Sequence, residues 1–267
     1  MNNIKLSDGQ VSVLKLLYRY RYGSINLLRT SLQMKNNSGL YQKLEVLIKH
    51  KYVGKEYKKE YRLIGFPAAY FLLPKAFKLL SQQYDYDIPE TIVKASYRDN
   101  NRSNRFISHM LQIYTVSTEL AQLYPDIKFY SSREISSYES FPDNLPDGYL
   151  SLVIGDTARR YFLDIIPDDT PRYVINKLVS DYHEFFLEDT WSDTGSDLPA
   201  MLIIAERGKS EKYLQKLLRS RQDALDMVEP RFYTSTLKAI KSSTKDSNDI
   251  WSEVSNPEDL LSLPDAA

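Results

Sequence analysis

Cysteine is absent from this 267-residue chain, and histidine occurs only three times. Without cysteine the chain has no disulfides, zinc–thiolate fingers, iron–sulfur clusters or thiol catalysis. The histidines, His50, His109 and His183, are too scattered to predict a zinc site. The sequence also lacks a Gly-rich phosphate loop and a Gly-x-Ser-x-Gly nucleophile elbow, which argues against a nucleoside triphosphatase and a Ser-His-Asp hydrolase.

Long apolar runs are missing too. No run reaches the roughly 18 residues that a transmembrane helix needs, and the first ten residues lack the apolar centre of a signal peptide. We therefore expect no membrane partner and a cytoplasmic protein of bacterial or viral origin. With 42% hydrophobic and 12% aromatic residues, the chain is long enough for two folded domains.

Charge is distributed unevenly along the chain, although the net charge is zero. Residues 1–83 contain 15 Lys and Arg against four acids, whereas residues 84–267 contain 20 against 31. A segment with a net charge of +11 favours an anionic partner, and nucleic acid is the natural one. An ordinary Lys-rich solvated surface is the alternative. The positions of the charges on the predicted helices and strands decide between these two interpretations.

The apolar periodicity near the N-terminus predicts three short helices. Ser7 and Gln10 have the spacing of a capping box, which predicts a first helix over residues 8–20. Gly23-Ser24 breaks the pattern and begins a second helix. Ser38 is the candidate N-cap of a third helix, which ends before Gly54.

Residues 57–62 alternate like an exposed strand, and residues 69–73 are typical of a strand returning beside it. Three helices followed by such a ribbon predict a winged helix-turn-helix, in which the third helix enters the major groove and the ribbon lies along the backbone or minor groove. The residues that we expect to contact double-stranded DNA lie on or beside these two elements: Lys35, Ser38, Tyr41, Gln42, Lys43, Lys49, Lys55, Lys58, Lys59 and Arg62. A winged helix used only for protein contacts is the alternative.

These patterns predict four segments. Residues 1–83 form the winged-helix domain, and residues 84–102 form a polar linker. Residues 103–241 form an α/β domain with the order helix, three strands, helix, strand, helix. Residues 242–267 form a flexible acidic tail, which is either inert or carries a short docking motif for a partner.

Two carboxylates in the second domain suggest metal chemistry. Pro146-Asp147 precedes one predicted strand and Asp164 ends the next, and two acids converging from neighbouring strands suit Mg²⁺. This arrangement is similar to the PD-(D/E)xK nuclease superfamily, in which two acids hold Mg²⁺ and a Lys orients or polarises the attacking water. The resemblance implies Asp147 and Asp164 as metal-binding catalytic residues. It further implies Lys177 in place of the Lys missing at Ile166, and Glu119 as an additional acid on the preceding helix.

Looser motifs across residues 6–220 resemble the replication-relaxation proteins of plasmids and integrative conjugative elements. They include Asn-Arg-Phe-Ile-Ser-His at 104–109, Leu-Pro-Asp-Gly at 145–148, Tyr-Phe-Leu-Asp-Ile at 161–165 and Asn-Lys-Leu-Val-Ser-Asp-Tyr at 176–182. The resemblance implies DNA binding in plasmid replication, mobilisation or its control. It singles out the positions His109, Asp147, Asp164, Lys177 and Tyr182. Residues 166–170 depart from the acid, Arg and Gly-Thr that usually follow in this family, which counts against cleavage.

The missing Lys and the acidic second half both argue against catalysis. The structural alternative is that Asp147 caps a turn and Asp164 pairs with Lys177. The sequence therefore predicts an α+β protein, with a winged helix-turn-helix followed by a restriction-endonuclease-like α/β domain. Its predicted function is that of a double-stranded-DNA-binding accessory or regulatory protein of a mobile element. An inactive nuclease-like domain would then serve for homodimerisation or for recruiting a relaxase or replication protein. The alternatives are a Mg²⁺-dependent DNA endonuclease and a pure protein-interaction module.

Overall fold

The computed structural model describes residues 5–57, 61, 65–84, 86–188, 190–226 and 229–265. The chain divides into two compact units, Met1–Thr115 and Val116–Ala267. The mixed α+β class predicted from the sequence is confirmed. Within the described residues, no helix combines the length and apolarity needed to cross a membrane.

The first unit combines helices with a small antiparallel sheet. Its strands, in the order β1-β3-β2, are β1 (Tyr22–Gly23), β2 (Val53–Glu56) and β3 (Ala69–Leu72). Its helices are α1 (Asp8–Tyr20), α2 (Ile25–Ser31), α3 (Ser38–Lys49), α4 (Pro74–Tyr84), α5 (Glu90–Ser96) and the first part of α6 (Asn104–Leu123). A 3-10 turn (Asp99–Asn101) precedes α6.

The helix starts follow local capping chemistry. The Ser7 backbone N–H donates to Gln10 Oε1 at 2.9 Å, which confirms the predicted capping box and the start of α1. The Leu27 N–H donates to Ser24 Oγ at 3.3 Å at the start of α2. The third helix begins at Ser38, the predicted cap, and is thus one residue longer at its start than predicted; Asn37 occupies the N-cap position.

The segment predicted to be a linker, residues 84–102, is folded into the first unit. It contains α5 and the 3-10 turn, and Asp99 within it is 1% exposed. Asp99 Oδ1 accepts hydrogen bonds from Arg21 Nη2 at 2.7 Å and Nε at 3.1 Å, and the Tyr22 hydroxyl donates to the Asp99 carbonyl. A buried acid needs such partners, and they tie this segment to the start of the chain. The first unit consequently extends to Thr115 instead of ending at residue 83.

The second unit is built on a seven-stranded sheet in the order β10-β9-β8-β7-β6-β5-β4. Its strands are β4 (Ile127–Ser131), β5 (Gly148–Ile154), β6 (Thr157–Ile166), β7 (Ala200–Ala205), β8 (Phe232–Thr236), β9 (Trp251–Glu253) and β10 (Leu260–Leu261). The three central strands β6, β7 and β8 are parallel, and the outer pairs are antiparallel. The helices are α7 (Ser132–Ile135), α8 (Arg172–Leu187), α9 (Gly208–Leu225) and α10 (Leu237–Ser242), with a 3-10 turn at Thr190–Thr194.

The centre of this sheet is buried. Every residue of β7 is buried, as its uninterrupted apolar sequence predicts for a central parallel strand. Side chains of α8 and α9, among them Tyr182 and Leu214, form one apolar cluster with Phe162 of β6 and Ile203 of β7. The two helices therefore cover one face of the central strands.

The C-terminal segment differs from its prediction as a flexible tail over residues 242–267. It contributes β9 and β10 to the sheet, and the side chains of Trp251 and Leu263 are fully buried. The Tyr161 hydroxyl donates to the Leu263 carbonyl at 2.7 Å. The segment looks like a tail in the sequence because its few apolar residues are isolated among polar ones, yet Ile250, Trp251, Val254 and Leu263 are all buried.

Candidate nucleic-acid interface and carboxylate cluster

Helix α3 has an apolar inner face and a polar outer face. The inner face is buried and consists of Leu40, Leu44 and Leu47. The exposed outer residues include Ser38, Tyr41, Gln42 and Lys49, which were predicted to contact DNA. The structure therefore brings these four side chains to one side of one helix, together with the acid Glu45.

Lys43 is oriented differently from the other predicted contacts on α3. It is half-buried, and its side chain runs along α1, where a Cβ added at Gly9 would lie 2.9 Å from Lys43 Cε. The aliphatic stem of Lys43 thus packs between the two helices, as long charged side chains often do.

The remaining basic candidates flank α3. Lys35 is exposed in the loop before the helix, and Lys55 is exposed on β2. The Lys55 ammonium lies 5.6 Å from the ring centroid of Tyr57 and 5.9 Å from that of Tyr70, which holds it beside the sheet by cation–π attraction. Lys58, Lys59 and Arg62 lie outside the described residues. The whole first unit contains 19 Lys and Arg against eight acids, so its net charge is +11.

The two predicted catalytic acids of the second unit are neighbours. Gly148 pairs with Leu163 in the antiparallel ladder of β5 and β6, so Asp147 lies opposite Asp164. The Asp147 N–H donates to Asp164 Oδ1 at 3.3 Å, and the Ile165 N–H donates to Asp147 Oδ2 at 2.9 Å. Each carboxylate therefore accepts a hydrogen bond from the backbone of the other segment and prolongs the ladder beyond its last regular pair.

Asp164 is buried on the face of β6 that α8 covers. It is 8% exposed, and its strand neighbours Phe162 and Ile166 belong to the apolar cluster beneath α8. The Tyr182 hydroxyl of α8 donates to Asp164 Oδ2 at 2.8 Å. Burial, followed by the charge of Asp164, keeps the pKa of Tyr182 well above its ordinary value, so the phenol stays a neutral donor.

The other two predicted catalytic residues are not joined to this pair. Lys177 Nζ donates to both carboxylate oxygens of Asp181, at 2.7 and 2.8 Å, and Asn144 Nδ2 donates to Asp181 Oδ2 at 2.6 Å. The expected pairing of Lys177 with Asp164 is replaced by this ion pair one turn along α8. Glu119 is half-buried on α6, and the described residues show no hydrogen bond or ion pair between it and either Asp147 or Asp164.

A Mg²⁺ ion would need carboxylate oxygens directed at a common point. Here both oxygens of Asp164 accept internal hydrogen bonds, and Asp147 Oδ2 accepts another. Across the described ranges, no group of three or more His, Cys, Asp or Glu side chains is arranged to hold a metal ion. In this arrangement the two carboxylates are joined in an internal hydrogen-bond network.

Sequence reasoning found part of this network. Tyr182 was singled out only through the family resemblance, whereas Asn144 and Asp181 were missed. The i, i+4 spacing of Lys177 and Asp181 on a predicted helix is the signal that would have identified that ion pair. His109, another position singled out by resemblance, is half-buried on α6 in the first unit.

Comparisons with known proteins give a weak structural likeness only. No family model and no curated protein matches the sequence, so the replication-relaxation resemblance stays a prediction. Among solved structures, the chain is similar to the restriction endonuclease FokI (TM-score 0.29, 11% identity) and to FokI bound to DNA (TM-score 0.31, 11% identity). Each match covers 90% of this chain and 45% of the FokI chain, so this chain spans less than half the length of that enzyme.

Proposed function

We propose that the protein is a double-stranded-DNA-binding accessory or regulatory protein of a mobile element, acting in the cytoplasm. The observation that carries the proposal is the outer face of α3, where Ser38, Tyr41, Gln42 and Lys49 lie together in a unit with a net charge of +11. Polar side chains of this kind hydrogen-bond base edges, and cations neutralise phosphates. The mobile-element context is supported by the motif resemblance described above.

A winged helix-turn-helix is the architecture that we propose for the DNA-contacting part, residues 1–83. The element order α1-β1-α2-α3-β2-β3 and the antiparallel sheet order β1-β3-β2 support it. In this proposal α3 enters the major groove. Lys35 and Lys55 contact the backbone, as do Lys58, Lys59 and Arg62 between β2 and β3, and Lys43 supports α3 through its packing on α1.

The second unit serves as a scaffold in this proposal, either for homodimerisation or for recruiting a relaxase or replication protein. The hydrogen bonds that occupy Asp147 and Asp164 support this role, because they stabilise the end of the β5–β6 ladder. The net charge of the unit is −11, with 16 Lys and Arg against 27 acids, which is less favourable for a nuclease active site than for a protein contact.

The proposal is tested by fluorescence anisotropy with a labelled DNA duplex between 50 and 200 mM salt. Replacing both Lys49 and Lys55 by Gln removes two phosphate contacts, which reduces the slope of log affinity against log salt by about two. The matched control replaces Lys5 and Lys78 by Gln, two exposed lysines of the same unit that belong to neither α3 nor the sheet, and leaves the slope unchanged. An unchanged slope for the Lys49 and Lys55 variant would overturn the α3 interface.

A Mg²⁺-dependent DNA endonuclease is the second candidate, and the adjacency of Asp147 and Asp164 favours it. A plasmid-nicking assay with Mg²⁺ or Mn²⁺ separates the two functions. We expect no nicking by the wild-type protein. Metal-dependent nicking that is lost in Asp164→Asn and retained in the exposed control Asp156→Asn would replace the first proposal by the second.

A further inference from the structure

Helix α9 has a basic outer face within the acidic second unit. Its exposed cations Lys209, Lys212, Lys216 and Arg219 follow one another at spacings of three, four and three residues. This spacing aligns all four on one side of the helix, a row that we call the α9 stripe. The half-exposed ring of Tyr213 lies in the same row.

The α9 stripe contains no acid. Glu211 is turned inward, where burial raises the pKa of its carboxyl and a Thr234 hydrogen bond opposes that shift. Asp223, one turn beyond Arg219, lines the same cavity as Arg219, Glu229 and Glu253, so the part of the row away from these acids is Lys209, Lys212 and Lys216. Asp168 lies near the start of the helix, but it accepts hydrogen bonds from Ser210 and Arg207, which lower the pKa of its carboxyl.

Helix stability does not account for this arrangement. Lys209 lies in the first turn of α9, where the helix dipole disfavours positive charge. Neighbouring cations at i, i+3 and i, i+4 also repel one another. Among the described residues, none of the four stripe cations forms an ion pair that would offset this repulsion. An external polyanion relieves both penalties.

We propose that the α9 stripe is a second DNA contact, which binds the phosphate backbone of a duplex. The stripe runs over ten residues and is therefore about 15 Å long, the axial rise of roughly four base pairs. Lysines with a single half-exposed tyrosine suit salt-dependent backbone binding, whereas a protein interface needs buried apolar anchors. The inference rests on the proposed function for the nature of the partner, but it concerns a different unit and different residues.

The test uses the full-length protein and the same duplex titration. Gln is a good helix former, so replacing Lys212 and Lys216 by Gln preserves α9, which far-ultraviolet circular dichroism verifies. We expect the salt slope to fall by about two, with a weaker affinity at 50 mM salt. Replacing Lys128 and Lys245, exposed lysines of the same unit outside α9, gives the same change in net charge and leaves the slope unchanged.

The two pairs of substitutions test the two proposed DNA contacts separately. If the Lys49 and Lys55 variant lowers the slope and the Lys212 and Lys216 variant does not, the α9 contact is overturned and the α3 interface stands. The reverse result overturns the α3 interface and leaves the α9 contact in place. A wild-type protein with no salt-dependent affinity for the duplex overturns both.

Discussion

At the scale of single residues, the environment of the Asp164 carboxylate is the most informative feature of the second unit. A carboxylate at the end of a strand next to a second carboxylate is a familiar metal-binding pattern. Its environment here is a covered strand face, where a tyrosine hydroxyl and a backbone N–H satisfy its two oxygens. The hydrogen bonds of this carboxylate therefore join β6 to Asp147 and to α8.

The sequence was sufficient to place Asp147 beside Asp164, because both flank strands that the apolar pattern predicts correctly. It was not sufficient to identify Tyr182 as their partner from physical reasoning. That contact depends on which face of β6 is covered by α8, and strand periodicity alone leaves this open.

Replacing Tyr182 by Phe tests the structural role of this network. The change leaves the buried Asp164 without one donor, so we expect the free energy of unfolding to fall by about 1.5–3 kcal/mol, the usual range for a hydrogen bond to a charged group. Urea denaturation measures the loss. Tyr173→Phe on the same helix is the control, because Tyr173 is 73% exposed and its loss should change stability by less than about 0.5 kcal/mol. Equal effects of the two variants would contradict the structural role.

At the scale of elements, hydrophobic periodicity predicted α1 to α3 and β7 well but missed β8 and β9. The sequence of β8, Phe-Tyr-Thr-Ser-Thr, has polar side chains at positions that are buried. Gln215 Nε2 donates to Thr234 Oγ1 at 2.8 Å and to Ser252 Oγ at 3.1 Å. Such a strand is stabilised by specific hydrogen bonds, which an apolar pattern does not reveal.

The C-terminal strands offer a direct test of whether this segment is part of the core. Leu263→Ala leaves a cavity at a fully buried position, so we expect a loss of about 2–5 kcal/mol in the free energy of unfolding. Leu260→Ala, three residues earlier and 59% exposed, should cost less than about 0.5 kcal/mol. Chemical denaturation of both variants measures the difference. If Leu263→Ala were as stable as Leu260→Ala, the segment would be the tail that its composition suggests.

At the scale of the whole molecule, the charge asymmetry follows the compact units. Moving the boundary from residue 83 to residue 115 adds four cations and four acids to the first part, so the net charges stay at +11 and −11. The sequence therefore predicted the charge of each unit correctly although it placed the boundary too early. Local composition at residues 84–102 resembles a linker, and long-range contacts such as those of Arg21 and Tyr22 with Asp99 reveal otherwise.

Alkaline pH should destabilise the protein as a whole. Burial raises the pKa of seven tyrosines, namely Tyr70, Tyr114, Tyr124, Tyr149, Tyr161, Tyr182 and Tyr233. Since these pKa values in the folded state exceed the unfolded value of about 10, the stabilisation is complete below pH 10 and is lost as the pH rises above it.

Urea midpoints at pH 8 and pH 11 measure this loss. Each tyrosine that stays protonated in the folded state lowers the free energy of unfolding by up to about 1.4 kcal/mol for every pH unit above 10. Tyrosinate absorbance at 295 nm provides the control, because the seven buried tyrosines should ionise only on unfolding. A midpoint that does not move between the two pH values would contradict the prediction.

The position of the tryptophans has a practical consequence. The chain has two tryptophans, Trp191 and Trp251, and both are buried in the second unit. Their emission therefore monitors melting of that unit alone, whereas helix content monitors both. Recording the two signals in one thermal scan distinguishes a single cooperative transition from separate ones without any added label.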